Sequence, residues 1–272
     1  MLSDFPPSLS LCSLHVAGRQ VLGGLDLHGI QEVPDVYVDG YRDSPMTIVL
    51  PTADLDGPIP NHRNIFVTTD TNTNEGGSVA IFSPGAITKV EIQKAIVDVW
   101  NVTTVKESIR ATEALHAAFG DLEDLASLEI NATGPSDYGF PSLRTLHSAT
   151  IRNVAGISMD WQDVSIGASL ELGPSFPPGD WISHPTLPQG IASIEESLVI
   201  HDHSGLSFMF DALASVGRNM DIHDNENCTF QFDNLVKLSN LSMSGNPATT
   251  LPGGFLRLEE ADNIYLNGMI DT

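Results

Sequence analysis

An apolar pattern with a period of about 22 residues runs through the second half of this chain. Its clearest copy is Phe232, Leu235, Leu238, Leu241 and Met243, followed by Asn246. The template also fits Phe119/Leu122/Leu125/Leu128/Ile130, Phe140/Leu143/Leu146/Ala149/Ile151, Trp161/Val164/Gly167/Leu170/Leu172 and Phe255/Leu258/Ala261/Ile264/Leu266. A copy one residue longer is Phe210/Leu213/Val216/Met220/Ile222. One such unit cannot bury its own apolar edge, whereas stacked units share a continuous core. The period therefore predicts a mainly β solenoid, either a parallel β-helix or a leucine-rich-repeat-like coil, with one or two short helices.

The apolar-x-apolar pairs are the expected strands, because alternation places both side chains on one face. In the second half they fall at Leu128/Ile130, Ala149/Ile151, Leu170/Leu172, Leu198/Ile200, Met220/Ile222, Leu241/Met243 and Ile264/Leu266. One interval is longer and contains a breaker-rich insertion, 174–188 with Trp181, read as a loop bulging from one rung. The first half is denser, with pairs such as Leu14/Val16, Leu25/Leu27, Val36/Val38 and Ile48/Leu50. Taking every second pair restores the period, which suits two strands per rung on two faces of one coil. A series of antiparallel hairpins is the rival account. Between the halves, Thr104 and Glu107 have capping-box spacing, Val105, Ile109 and Leu115 lie near helical spacing, and Gly120 follows. The expected layout is one solenoid domain over 1–272. It comprises irregular rungs over 1–103, a helix over 104–119 and regular repeats over 120–272.

Thirty-five acidic residues against 12 basic ones give a net charge of −23. A phosphate backbone would be repelled, which excludes nucleic acid as a partner. Cys12 and Cys228 sit many rungs apart in a linear stack that rises about 4.8 Å per rung. A bridge needs Cα atoms within about 7 Å, so no disulfide between them is expected. Residues 8–18 are mildly apolar but follow Pro6-Pro7 and no basic segment, a poor secretory signal. No run of about 20 apolar residues is present to span a bilayer. The last apolar pair lies just before Thr272 and lacks a polar terminal cap, so the native protein is expected to continue.

Asn225 and Asn246 each stand three residues past the end of an apolar pair, and His203 holds the equivalent place. An Asn at such a corner is expected to turn inward and satisfy the backbone of neighbouring rungs. His201-Asp202-His203 and His223-Asp224 align one rung apart. Imidazoles and carboxylates so stacked make His201, His203 and His223, with Asp202 and Asp224, candidate metal ligands, against the plainer reading of polar strand ends. That plainer reading is the one adopted, and no cofactor is expected. Sequons occur at Asn101, Asn131, Asn227 and Asn240. No nucleophile elbow, zinc-protease motif, phosphate loop or dinucleotide fingerprint is present, and the expectation is a protein that is not an enzyme.

Ser197 to Leu206, then Phe210 to Val216, then Asn219 to Asn227 resembles the receptor L-domain-like repeats of fungal cell-surface proteins, the GPI-anchored or membrane-anchored cell-wall organisation family. Phe140-Pro-Ser-Leu143 matches that family's aromatic-Pro-x-Leu turn. The resemblance covers about 119–272 well and the rest loosely. It implies a right-handed parallel coil, secreted and N-glycosylated, with no catalytic residues to carry over. Its partners would be cell-wall glycans or surface proteins, with membrane attachment only through an anchor absent from this chain. Two alternatives remain: a carbohydrate-active parallel β-helix of the pectin-degrading type, and an intracellular leucine-rich adaptor.

Overall fold

The computed structural model describes residues 11–17, 24–28, 30, 33, 35–39, 45–51, 63–68, 78–132, 136–153, 157–161, 163–174 and 190–267. Over these residues the chain is mainly β, a solenoid built from parallel strand pairs. Its residues group into two compact units, 1–126 with 137–142, and 127–136 with 143–272.

The first unit contains β1 (Leu14–Ala17), β2 (Leu25–Asp26), β3 (Asp35–Asp39), β4 (Met46–Val49), β5 (Asn64–Thr68), β6 (Ser78–Gln93), β7 (Ile96–Thr112) and β8 (His116–Phe119). The start of β9 (Asp124–Asn131) and most of β10 (Ser136–Gly139) also belong to it. β1 to β4 each pair with the second strand on, whereas β5–β6, β6–β7 and β7–β8 pair consecutively because β6 and β7 are long enough to serve both faces. One face carries the row Val16–Val38–Val67–Ile92 through β1, β3, β5 and β6. The other carries Leu25–Ile48–Ile81–Val99–Phe119 through β2, β4, β6, β7 and β8. This is the two-faced coil rather than the hairpin series. β6 serves both faces, and its register shifts between Phe82 and Ala86, where Gly85 takes a φ of 101° that a side chain would resist. Alternate residues of these strands are buried, and β-branched Val and Ile fill most of those places.

The helix expected over 104–119 does not form. β7 continues to Thr112 past a corner at Asn101, paired with β6 from Ala86–Thr104 to Gln93–Thr112, and β8 follows. Val105 and Ile109 both face inward with Lys106, Glu107 and Ser108 off the core between them, because β7 carries one extra residue against β6 there, and that bulge mimics the spacing of a helical stripe. Val97, Val99, Val102, Thr103, Thr104 and Val105 are β-branched, and the open edge of β6 supplies the backbone partners. Among the described residues there is no helix at all.

The second unit holds the rest of β9 and β11 (Thr145–Arg152), β12 (Ile157–Asp160), β13 (Val164–Ile166), β14 (Ser169–Leu172), β15 (Ile191–Ile194), β16 (Ser197–His201), β17 (Ser207–Met209), β18 (Ser215–His223), β19 (Thr229–Gln231), β20 (Lys237–Ser244) and β21 (Glu260–Asn267). Two rows define it, buried through β20 and exposed at β21. Ile151–Leu172–Ile200–Ile222–Met243–Leu266 reproduces the periodic positions one by one. Leu146–Ile166–Ile194–Val216–Leu238–Ala261 forms the second row. The leading aromatics of the repeats stack inside: Phe210 on Phe232 at 5.0 Å and Phe232 on Phe255 at 5.7 Å between centroids. The repeat that is one residue longer becomes a bulge in β18, where the register shifts between Val216 and Asn219. Gly217 sits there, and a Cβ on it would lie 2.0 Å from the Glu195 carbonyl oxygen. Apart from Pro174 itself, the 174–188 segment with Trp181 lies outside the described residues.

Candidate functional site

The corners after β16, β18 and β20 are built alike. Asp202, Asp224 and Gly245 take left-handed backbone at φ 58°, 56° and 63°. This breaks the strand alternation, so the next residue turns inward. Those next residues are His203, Asn225 and Asn246, 2%, 0% and 0% exposed. Asn246 Nδ2 donates to the Ile222 carbonyl at 2.7 Å, and its Oδ1 accepts the Asn225 backbone N–H at 3.0 Å. Asn225 repeats the pattern one rung back, donating to the Ile200 carbonyl at 3.1 Å and accepting from the His203 N–H at 3.2 Å. His203 Nε2 reaches the Leu172 carbonyl at 3.1 Å, so the imidazole stands where a carboxamide stands in the next two rungs. That bond assigns the proton to Nε2. Burial pushes the His203 pKa down to about 4; the Leu172 carbonyl and Asp202 oppose the shift, and His201 adds to it. This stack closes backbone groups that would otherwise be buried and unsatisfied.

The outward side of the same strands is polar and in register. His201 and His223 stack with centroids 5.2 Å apart, and each Nδ1 meets the carboxylate of its neighbour, Asp202 at 2.8 Å and Asp224 at 3.0 Å. His201 Nε2 also lies 3.4 Å from Glu171. His203 is on the opposite side of the backbone, so the structure brings together two of the three candidate metal-binding imidazoles and separates the third. Among the described residues no three His, Cys, Asp or Glu side chains are placed to hold a metal ion. Beside the imidazoles runs an amide ladder. Asn263 donates to Asn240 at 2.8 Å, and Asn240 donates to Asn219 at 3.1 Å.

The four sequon asparagines differ in their surroundings. Asn101 and Asn227 are exposed corner residues with φ 64° and 52°. Asn240 spends its amide in the ladder just described. Asn131 is half-buried, and its Oδ1 accepts a bond from Asn153 at 3.1 Å; its Thr133 lies outside the described residues. Both cysteines are free thiols, Cys12 exposed and Cys228 buried, and burial pushes the Cys228 thiol pKa up.

Three features of the first unit escaped the sequence reading. Arg63 is 2% exposed, and its guanidinium donates to the Val33 and Pro51 carbonyls and to Ser83 at 3.1, 2.9 and 2.8 Å. No local pattern announces it. His116 bridges two carboxylates, Asp98 at 3.2 Å and Asp137 at 3.3 Å. Trp100 is 40% exposed and lies over Gly120. That pair was legible, since a glycine stands about one period after an outward-facing tryptophan. No family model, curated protein or solved structure matches this chain.

Proposed function

We propose that the chain is a non-enzymatic extracellular protein of the cell surface or cell wall, of the receptor L-domain-like kind its repeats resemble. It presents a solenoid face to protein or glycan partners. The observation that supports this reading is the division of labour in the second unit. Its inward polar groups are consumed by the backbone, while its outward rows, Ser197–Asn219–Asn240–Asn263 and His201–His223–Ser244–Asn267, repeat hydrogen-bonding groups at strand spacing. Such a surface suits an extended partner more than a small ligand.

The test is location and modification in the native host. Antibody labelling of intact cells is expected to reach the protein, and glycosidase treatment is expected to shift its mobility. The shift should shrink in Asn101→Gln and Asn227→Gln and persist in Asn240→Gln. Label found only after permeabilisation, with no glycan on any of these residues, would overturn the proposal in favour of the intracellular adaptor.

A further inference from the structure

The outward face of β6, β7, β8 and β10 consists of three rows. The middle row is Ala80–Asp98–Ala118–Gly139, small except for one carboxylate. On one side stand His116 and Asp137, with Asp98 tied to the same imidazole. On the other stands Trp100. Its six-membered ring fills the space above Gly120, where a Cβ would lie 2.7 and 2.9 Å from ring atoms Cζ3 and Cε3. The indole therefore leans along the coil onto the next rung instead of standing upright.

The opposite face of the unit is instructive. There His15, Tyr37 and Phe66 stack ring on ring at 4.4 and 4.7 Å, so their π-faces are spent on one another. Trp100 stacks on no other ring among the described residues. Outside the segment 256–266, only Trp100 and Met209 are large, apolar and exposed among the described residues. A free aromatic face beside a shallow run of small residues calls for a flat partner with an apolar side. Asp98 and Asp137 are held by His116, and Asp121 is held by the Asn101 N–H at 2.8 Å. Carboxylates held in this way keep lone pairs for hydroxyl donors, and their partners already balance part of the charge a cation would seek. A protein of net charge −23 disfavours an anionic partner.

We propose that this face binds a neutral polysaccharide chain, with the Trp100 indole stacking on the C–H face of one sugar and Asp98 and Asp137 accepting from hydroxyls. The proposal deepens the reading given above by naming a glycan and a face, and rests on it only for where that glycan is met. The test is calorimetric titration of the full chain, made in the native host and, without its glycans, in a bacterial host; binding by the bare chain that the native protein lacks would overturn the proposal. The probes are a soluble neutral β-glucan, a chitin oligomer, polygalacturonate and oligolysine. A neutral glycan is expected to bind, and Trp100→Ala to weaken it by about tenfold or more. Gly120→Ala, which displaces the ring but keeps it, should weaken binding several-fold. Met209→Ala should leave it unchanged. Should Trp100→Ala lower the urea midpoint, Gly120→Ala decides. Binding undiminished in both variants, or a preference for polygalacturonate or oligolysine, would overturn the proposal. Failure to bind either neutral glycan would also sink it while leaving the surface reading to the cell-labelling result.

Discussion

The two units are wound from the same kind of coil but close their corners with different chemistry. In the second, a neutral amide recurs from rung to rung: Asn225 and Asn246 each donate a hydrogen bond to a carbonyl one rung back and accept one from an N–H of that rung. In the first, Arg63 reaches acceptors on three separate segments, Val33, Pro51 and Ser83. Where the backbone repeats, a short two-way group suffices, because each corner presents the same donor and acceptor. Where rungs are irregular, the acceptors diverge, and a long forked donor is needed to gather them.

Replacing the fork is the harshest way to break this comparison. Arg63→Met leaves three buried acceptors without that donor and is expected to cost about 3–5 kcal/mol in urea unfolding. A loss below about 1 kcal/mol would show that the first unit closes without its arginine. The next largest effect depends on pH. His203 titrates at about 4 when folded and near its ordinary 6.5 when unfolded. The unfolded chain therefore takes up the proton first as pH falls. The stability held above pH 6.5 should drain away between 6.5 and about 4, by up to about 3 kcal/mol, and then level off. His203→Asn replaces the imidazole with the amide used one rung on. It should flatten that part of the profile relative to the parent protein, while an unchanged slope would assign the loss to carboxylates elsewhere. Asn225→Ala breaks the middle of the inward His203–Asn225–Asn246 stack and should cost about 2 kcal/mol at neutral pH, read from the same unfolding midpoint. The smallest effect belongs to the outward imidazoles. His201→Ala should shift stability by no more than about 0.5 kcal/mol, since the carboxylates it meets, Glu171 and Asp202, lie at the surface. A larger loss would mean that the outer row also supports the coil.

How legible each part was follows from how locally it is encoded. The aliphatic rows were readable because one residue per rung faces the core and recurs with the coil. Even the irregular repeat was visible, as the extra residue that becomes the Gly217 bulge. The segment 104–119 misled because a bulge in β7 leaves Val105 and Ile109 four apart with no inward residue between them, as on a helix, and the choice was made by the edge of β6, far from any local signal. Arg63 was invisible for a related reason: its acceptors lie 30, 12 and 20 residues away.

By itself, then, the order of residues determined that successive turns would stack and which aliphatics and corner amides would meet, because those properties repeat with the coil. Sequence spacing already set His203 at the inward corner place, where a left-handed residue at Asp202 reverses the alternation after His201. Tertiary structure alone decided that the outward His201 would stack on His223 and lie beside Glu171. It also decided that one arginine would serve three distant segments and that one indole would lie flat, because such choices depend on which segments a neighbouring rung sets side by side.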